Sequence, residues 1–140
     1  MSRPSFVVDA SVAAKWVLPE PRSQQARRLL RRYQEEEIDL VAPHLLLAEV
    51  GNVLWKRVRR QELTAADARI CYRRLLDDSP ILLDDPNTHT AALELALVHG
   101  RTVYDSLYVA LALERRCGLV TADERLYAAL HPAYSWIELL

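Results

Sequence analysis

The 140-residue chain is poor in cysteine, in lysine and in long apolar runs, and neither sign of charge dominates it. Its two cysteines, Cys71 and Cys117, fall in helix-like stretches with no CxxC spacing and no histidine at ligand distance. That argues against a disulfide framework or a zinc site and leaves two reduced, packed thiols, so a reducing cytoplasm is the expected compartment. The longest uncharged apolar stretches, Leu45 to Ala48 and Leu107 to Leu113, fall far short of the roughly 20 residues a membrane-spanning helix needs. The opening Met1-Ser2-Arg3-Pro4-Ser5 leads into an apolar run of only a few residues, so an export leader is not expected either. With 18 basic and 19 acidic residues and a net charge of −1, the chain does not suit a protein that coats nucleic acid by bulk attraction. Repeats, linkers and low-complexity segments are missing too, and this length leaves little chain for a second core, so residues 1–140 are expected to form one domain.

What is there is a globular composition, 51% hydrophobic and 26% charged, with a core to bury. Lys15 and Lys56 are the only lysines among the 18 basic residues; the rest are arginines, the better fork for phosphate. They cluster at Arg27, Arg28, Arg31 and Arg32, at Arg57, Arg59 and Arg60 beside Lys56, and at Arg69, Arg73 and Arg74. Each cluster reads first as a solvated helix face, and those near Lys56 and Arg69 also suit steering of RNA by phosphate contact.

Along the chain, short β-branched runs alternate with helical periodicity. Phe6-Val7-Val8 predicts a strand ending at Asp9, and a helix capped at Ser11 follows. Ser23 to Glu37 predicts a surface helix, Ile38 to Ala42 a second strand, and Leu45 to Arg60 a long helix. Thr64-Ala65-Ala66-Asp67 is a capping-box start for a helix to about Leu76, and Ile81-Leu82-Leu83 is a third strand. A helix from Asp85-Pro86-Asn87 stops near Gly100. The next runs from Tyr104 or Asp105 to Arg116, with Gly118 as its stop. Leu119-Val120-Thr121 predicts a fourth strand, Asp123 to Leu130 a short helix, and Ser135 to Ile137 a last strand. Strands separated by helices call for an α/β fold, with a central, mainly parallel sheet of four to five short strands and helices on both faces. Such sheets carry their chemistry at the strand C-terminal ends.

Four of the acids stand where the apolar pattern offers no surface reason for a charge. Asp9 directly follows Phe6-Val7-Val8, and Asp123 stands two residues beyond Thr121, at the equivalent edge of another strand. Glu49 interrupts Leu45-Leu46-Leu47-Ala48 and Val50, with Asn52 three residues on sharing roughly its face. Asp105 lies between Val103-Tyr104 and an apolar helical run, near a helix N-terminus where the dipole favours negative charge. Singly, Asp105 and Asp123 also read as caps, Asp9 as a turn residue and Glu49 as half of a buried ion pair. Together at one sheet edge the four would repel unless neutralised, and a divalent cation neutralises them. Hard oxygen donors select Mg²⁺ or Mn²⁺ over zinc. The chemistry this suggests is metal-assisted hydrolysis of a phosphodiester.

Four blocks in order carry a family resemblance: Val7-Val8-Asp9-Ala10-Ser11, Leu46 to Leu54 around Glu49, Tyr104 to Ala112 around Asp105, and Leu119 to Leu126 around Asp123. Across nearly its whole length the chain resembles the PIN-domain ribonucleases, and within them the VapC-type toxins of toxin–antitoxin pairs. The resemblance implies a PIN-like α/β fold and a Mg²⁺- or Mn²⁺-dependent endoribonuclease. It makes Asp9 and Asp105 the principal metal ligands, Glu49 a ligand or water-orienting group, and Asp123 the residue that completes the cluster. Ser11, Asn52 and Thr121 are implied to hydrogen-bond the acids or a phosphate. A homodimer and a small antitoxin protein that blocks the acidic groove are implied as partners.

Two other phosphoryl chemistries fit poorly. A HAD-type phosphatase needs a second aspartate two residues after the first, where this chain has Ser11, and a receiver domain needs a late lysine that is missing. The remaining rivals are a PIN-like binding module without turnover and an RNA-maturation nuclease outside toxin–antitoxin systems. His44, His89, His99 and His131 are scattered and read as surface or filling. Trp16, Trp55 and Trp136 read as core, with Trp16 also placed to line the groove.

Overall fold

The computed structural model describes residues 2–140. Among them, five short strands form one sheet: β1 (Ser5–Val8), β2 (Asp39–Pro43), β3 (Ile81–Leu83), β4 (Gly118–Thr121) and β5 (Ile137–Leu139). Seven helices connect them: α1 (Ala10–Val17), α2 (Ser23–Gln34), α3 (Leu45–Arg59), α4 (Ala65–Asp77), α5 (Pro86–His99), α6 (Val103–Arg115) and α7 (Glu124–Leu130). The strand order is β3-β2-β1-β4-β5 and every pairing is parallel.

That order determines where chemistry can sit. From β1 the chain winds outward through β2 to β3, then returns to β4 on the other side of β1. Right-handed crossovers put the helices of the outward and return journeys on opposite faces, so the connections leaving β1 and β4 diverge and open a crevice at their C-terminal ends. In register, Val8 pairs with Val120, which brings the residues just beyond each strand, Asp9 and the 121–123 segment, to the lip of that crevice.

The sheet is buried on both sides, which is why its strands read as continuous apolar runs. Val7, Val8, Leu40, Val41 and Leu119 are fully buried. Against them pack Val12, Ala13 and Trp16 of α1, Leu46, Val50 and Leu54 of α3, and Tyr108, Val109 and Leu111 of α6. None of the described helices is long and apolar enough to cross a membrane.

Several expectations shift at element ends, each for a local reason. The first helix is capped by Asp9 and not by Ser11: the Asp9 carboxylate accepts from the Val12 amide, leaving the Ser11 hydroxyl for another task. The α6 cap is Thr102, whose hydroxyl accepts from the Asp105 amide, so Asp105 stands in the first turn of that helix. The same helix ends on Arg116 in a left-handed conformation (φ 51°), while Gly118 belongs to β4. A side chain at Gly118 would meet the Trp136 carbonyl at 3.2 Å and the Phe6 ring at 3.3 Å, so a close approach of strands calls for glycine there. Gly100 does end α5 as expected, with φ 68°. The last strand lies two residues later than Ser135 to Ile137 suggested, because Ile137 is the residue paired with Leu119. Trp55 is not core: it is 53% exposed, with the Arg59 guanidinium over its ring.

Candidate active site

At the end of β1, Asp9 is carried into the crevice by a strand whose preceding residues, Val7 and Val8, are fully buried, and it is itself only 5% exposed. An ionised carboxylate there must be hydrogen-bonded. The Ser11 hydroxyl donates to its Oδ1 at 2.5 Å and the Thr121 hydroxyl to its Oδ2 at 2.5 Å. Both hydroxyls are aimed by the backbone of the β4–α7 connection: the Ala122 amide donates to Ser11 Oγ and the Asp123 amide to Thr121 Oγ1. Because each hydroxyl accepts an amide proton, its own hydrogen is free to point at Asp9. Burial pushes the Asp9 carboxyl up to about 6; its hydrogen bonds to Ser11, Thr121 and Val12 oppose that, and the nearby Asp123 adds to it.

Asp123 caps α7, its Oδ1 accepting from the amides of Arg125 and Leu126 at 2.9 and 3.1 Å. The cap and the candidate site role coexist, since Asp123 also faces the cavity.

The other two acids come from helices. Glu49 is half-buried on α3 and accepts at Oε1 from the Tyr108 hydroxyl of α6 at 2.6 Å. Burial raises its carboxyl above the ordinary range, the Tyr108 bond opposes this, and the charge of Asp105 adds to it. Asp105 is paired with Arg101 of the connection just before α6, whose Nη2 and Nε reach its Oδ2 at 3.0 and 3.3 Å.

All four acids line one cavity of about 620 Å³, together with Ser11 and Asn52. Thr121 stands behind Asp9, bonded to it without lining the space. The lining includes no histidine or cysteine, so its donor chemistry is all oxygen and fits a hard divalent cation. Among the described residues no three Asp, Glu, His or Cys side chains converge closely enough to hold an ion as they stand. Each is engaged within the chain: Arg101 pairs with Asp105, Tyr108 bonds one oxygen of Glu49, and the cap occupies one oxygen of Asp123. The acids share a cavity with their like charges coupled, and the donor set fits the metal while the spacing would have to tighten around it.

Residues outside the expected acids and their hydrogen-bonding neighbours also line this cavity. Tyr108, Tyr104, Glu20 and both of the chain's lysines, Lys15 and Lys56, are among them. Glu20 pairs with Lys15 at 3.6 Å and with Arg57, whereas Lys56 is in no ion pair among the described residues. The rarity of lysine was a usable signal, because the only two lysines flank the acids. Trp16 is buried, as its reading as core expected, and donates its indole N–H to the Ala26 carbonyl at 2.9 Å; it does not line the cavity.

Comparison with known proteins accords with this arrangement. The PIN domain profile matches residues 6–130. Over 124 residues the chain is 40% identical to Ribonuclease VapC3 of Pyrobaculum aerophilum, covering 86% of this chain and 91% of that protein. It is 43% identical over 91 residues to Ribonuclease VapC1 of Mycobacterium tuberculosis, covering 63% of this chain and 65% of that one. The crystal structure of PAE2754 from Pyrobaculum aerophilum superposes with a TM-score of 0.70 at 26% identity, over 91% of this chain and 86% of the other. The chain belongs to the PIN-domain family. Its place within that family is among the VapC-type proteins.

Proposed function

We propose that this protein is a Mg²⁺- or Mn²⁺-dependent endoribonuclease and the toxin of a VapBC-type pair. The observation that carries the reading is that Asp9, Glu49, Asp105 and Asp123, delivered by different elements of the chain, line one cavity at the divergence of β1 and β4. The naming of its relatives as VapC ribonucleases supports it. Asp9 and Asp105 would be the principal ligands, with Glu49 binding the ion or orienting water and Asp123 completing the set. When bound, the ion would supply an ionised water at neutral pH and offset the charge that builds on the phosphodiester.

The chain's own residues do the rest. Ser11 and Thr121 hold the Asp9 carboxylate in one orientation, and preorganised charge at a reacting centre is where catalysis gains most. Lys15, Lys56 and Asn52 offer donors to the phosphates of an RNA strand crossing the mouth. A small antitoxin is the proposed partner, closing the same groove.

A homodimer is part of the reading. Helix α5 leaves Leu93, Leu97 and Val98 exposed, the last two by more than 70%. An exposed apolar patch suits a second copy of itself. Val98→Glu should sediment as a monomer, and a wild-type chain already monomeric at micromolar concentration sinks the dimer.

The decisive experiment is incubation of total cellular RNA with the purified chain and Mn²⁺ or Mg²⁺, against EDTA and Asp9→Asn controls, with the new ends mapped. Discrete cuts lost in both controls are the expected result. Cuts that persist in EDTA would overturn the metal mechanism. Tight binding of a partner with no cleavage of any RNA would point to a PIN-fold binding module, and cuts confined to precursor RNA to a maturation nuclease.

A further inference from the structure

Tyr108 is 2% exposed and is the largest of the fully buried side chains. Its neighbours along α6, Leu107, Val109, Ala110 and Leu111, are all apolar and buried. A phenylalanine would fill such a position without a polar atom, whereas a buried phenol must find a partner. The partner it has is the Glu49 carboxylate at 2.6 Å, 59 residues away in sequence.

From this geometry we infer that Tyr108 is a positioning residue: its hydroxyl fixes the Glu49 carboxylate at the mouth of the acidic cavity, so that the oxygen it does not engage is presented to a bound divalent cation or to that cation's water. This rests on the metal-dependent reading above and deepens it. A glutamate arm has several rotatable bonds, and holding it in one orientation costs conformational entropy that a ligand would otherwise have to supply. A hydrogen bond to an ionised acceptor is short and about twice as strong as a neutral one, and this one comes from a ring that is almost wholly buried. The donor engages only Oε1. The same helix carries Asp105 three residues earlier, so α6 delivers one acid directly and aims a second through Tyr108. Groups that orient metal ligands in this way cost about 10- to 100-fold in metal affinity when removed.

The test is isothermal titration of the full chain with Mn²⁺ alone, for wild type, for Tyr108→Phe, and for p-aminophenylalanine incorporated at position 108, with thermal melting of each. The phenylalanine ring fills the site without a donor; the amino group donates from the oxygen's place. The expected result is a loss of about tenfold in Mn²⁺ affinity for Tyr108→Phe with melting little changed, and recovery to within about threefold of wild type with p-aminophenylalanine. If Tyr108→Phe does not fold, p-methylphenylalanine, which fills the oxygen's volume without donating, takes its place against the amino analogue. Undiminished affinity in the non-donating variant overturns the inference. So does an equal loss in donating and non-donating variants, since ring packing would then be the cause. A wild-type chain that binds no Mn²⁺ overturns the proposed function, and this inference with it.

Discussion

The two walls of the acidic cavity are built on different plans. On one wall Asp9 is buried at a strand end, and both of its oxygens accept hydroxyls that backbone amides hold in place. On the other wall Glu49 and Asp105 stand on helices, each partly exposed and each held chiefly by one side chain, Tyr108 or Arg101. A strand end inside a sheet has nowhere to move, so the first wall is positioned by the fold itself. The helical wall is positioned by side-chain partners, the buried Tyr108 ring for Glu49 and the Arg101 guanidinium for Asp105. Preorganisation comes at a cost in stability, and it falls most heavily on Asp9, the most deeply buried of these acids.

That contrast predicts its own largest effect. Asp9 has a carboxyl pKa raised from 3.8 to about 6 by burial, so the folded state favours its protonated form. Its contribution to stability is therefore complete below about pH 4 and is lost as pH rises through about 6. The gap corresponds to about 3 kcal/mol, and Glu49, raised in the same direction, adds to the trend. Urea unfolding of the metal-free chain at pH 4 and pH 8 should show wild type losing stability relative to Asp9→Asn by roughly that amount, with the variant the more stable at pH 8. Parallel profiles for the two proteins would erase the distinction between the walls.

A smaller effect compares the partners. Thr121 is fully buried and serves Asp9 as donor and the Asp123 amide as acceptor, so Thr121→Val should cost about 1–3 kcal/mol by leaving buried groups unpaired. Arg101→Ala on the helical wall removes a part-exposed i,i+4 pair and should cost less than about 0.5 kcal/mol. Chemical denaturation of the two variants gives both values, and the reverse order would mean that the helical wall is the more tightly built.

How far the site could be read from sequence depends on which force places each residue. Asp9 and Asp123 were legible because each follows a buried β-branched run at an equivalent strand edge; their caps on α1 and α7 account for one oxygen each and not for their meeting in one cavity. Glu49 was legible because it breaks an apolar helical stretch. Ser11 and Thr121 stood beside those acids in the chain, and both prove to be bonded to Asp9. Tyr108 was not legible, since a tyrosine within an apolar helix looks like core until its hydroxyl is seen to meet α3. Trp16 is core as expected and lines no part of the cavity, whereas Trp55, expected in the core, is exposed, because an aromatic at helical spacing does not say which face of its helix is covered.

By itself the sequence determined the order of strands and helices, the parallel sheet that this alternation requires, and the four acids out of keeping with their surroundings. These follow from local periodicity and from the cost of burying charge, which act along the chain. Only the tertiary structure decided that β1 and β4 lie side by side, that residues from 9 to 123 share one cavity, and which hydroxyl or guanidinium holds each acid. Those outcomes depend on crossover handedness and on packing between segments far apart in the chain, where no local pattern records the partner.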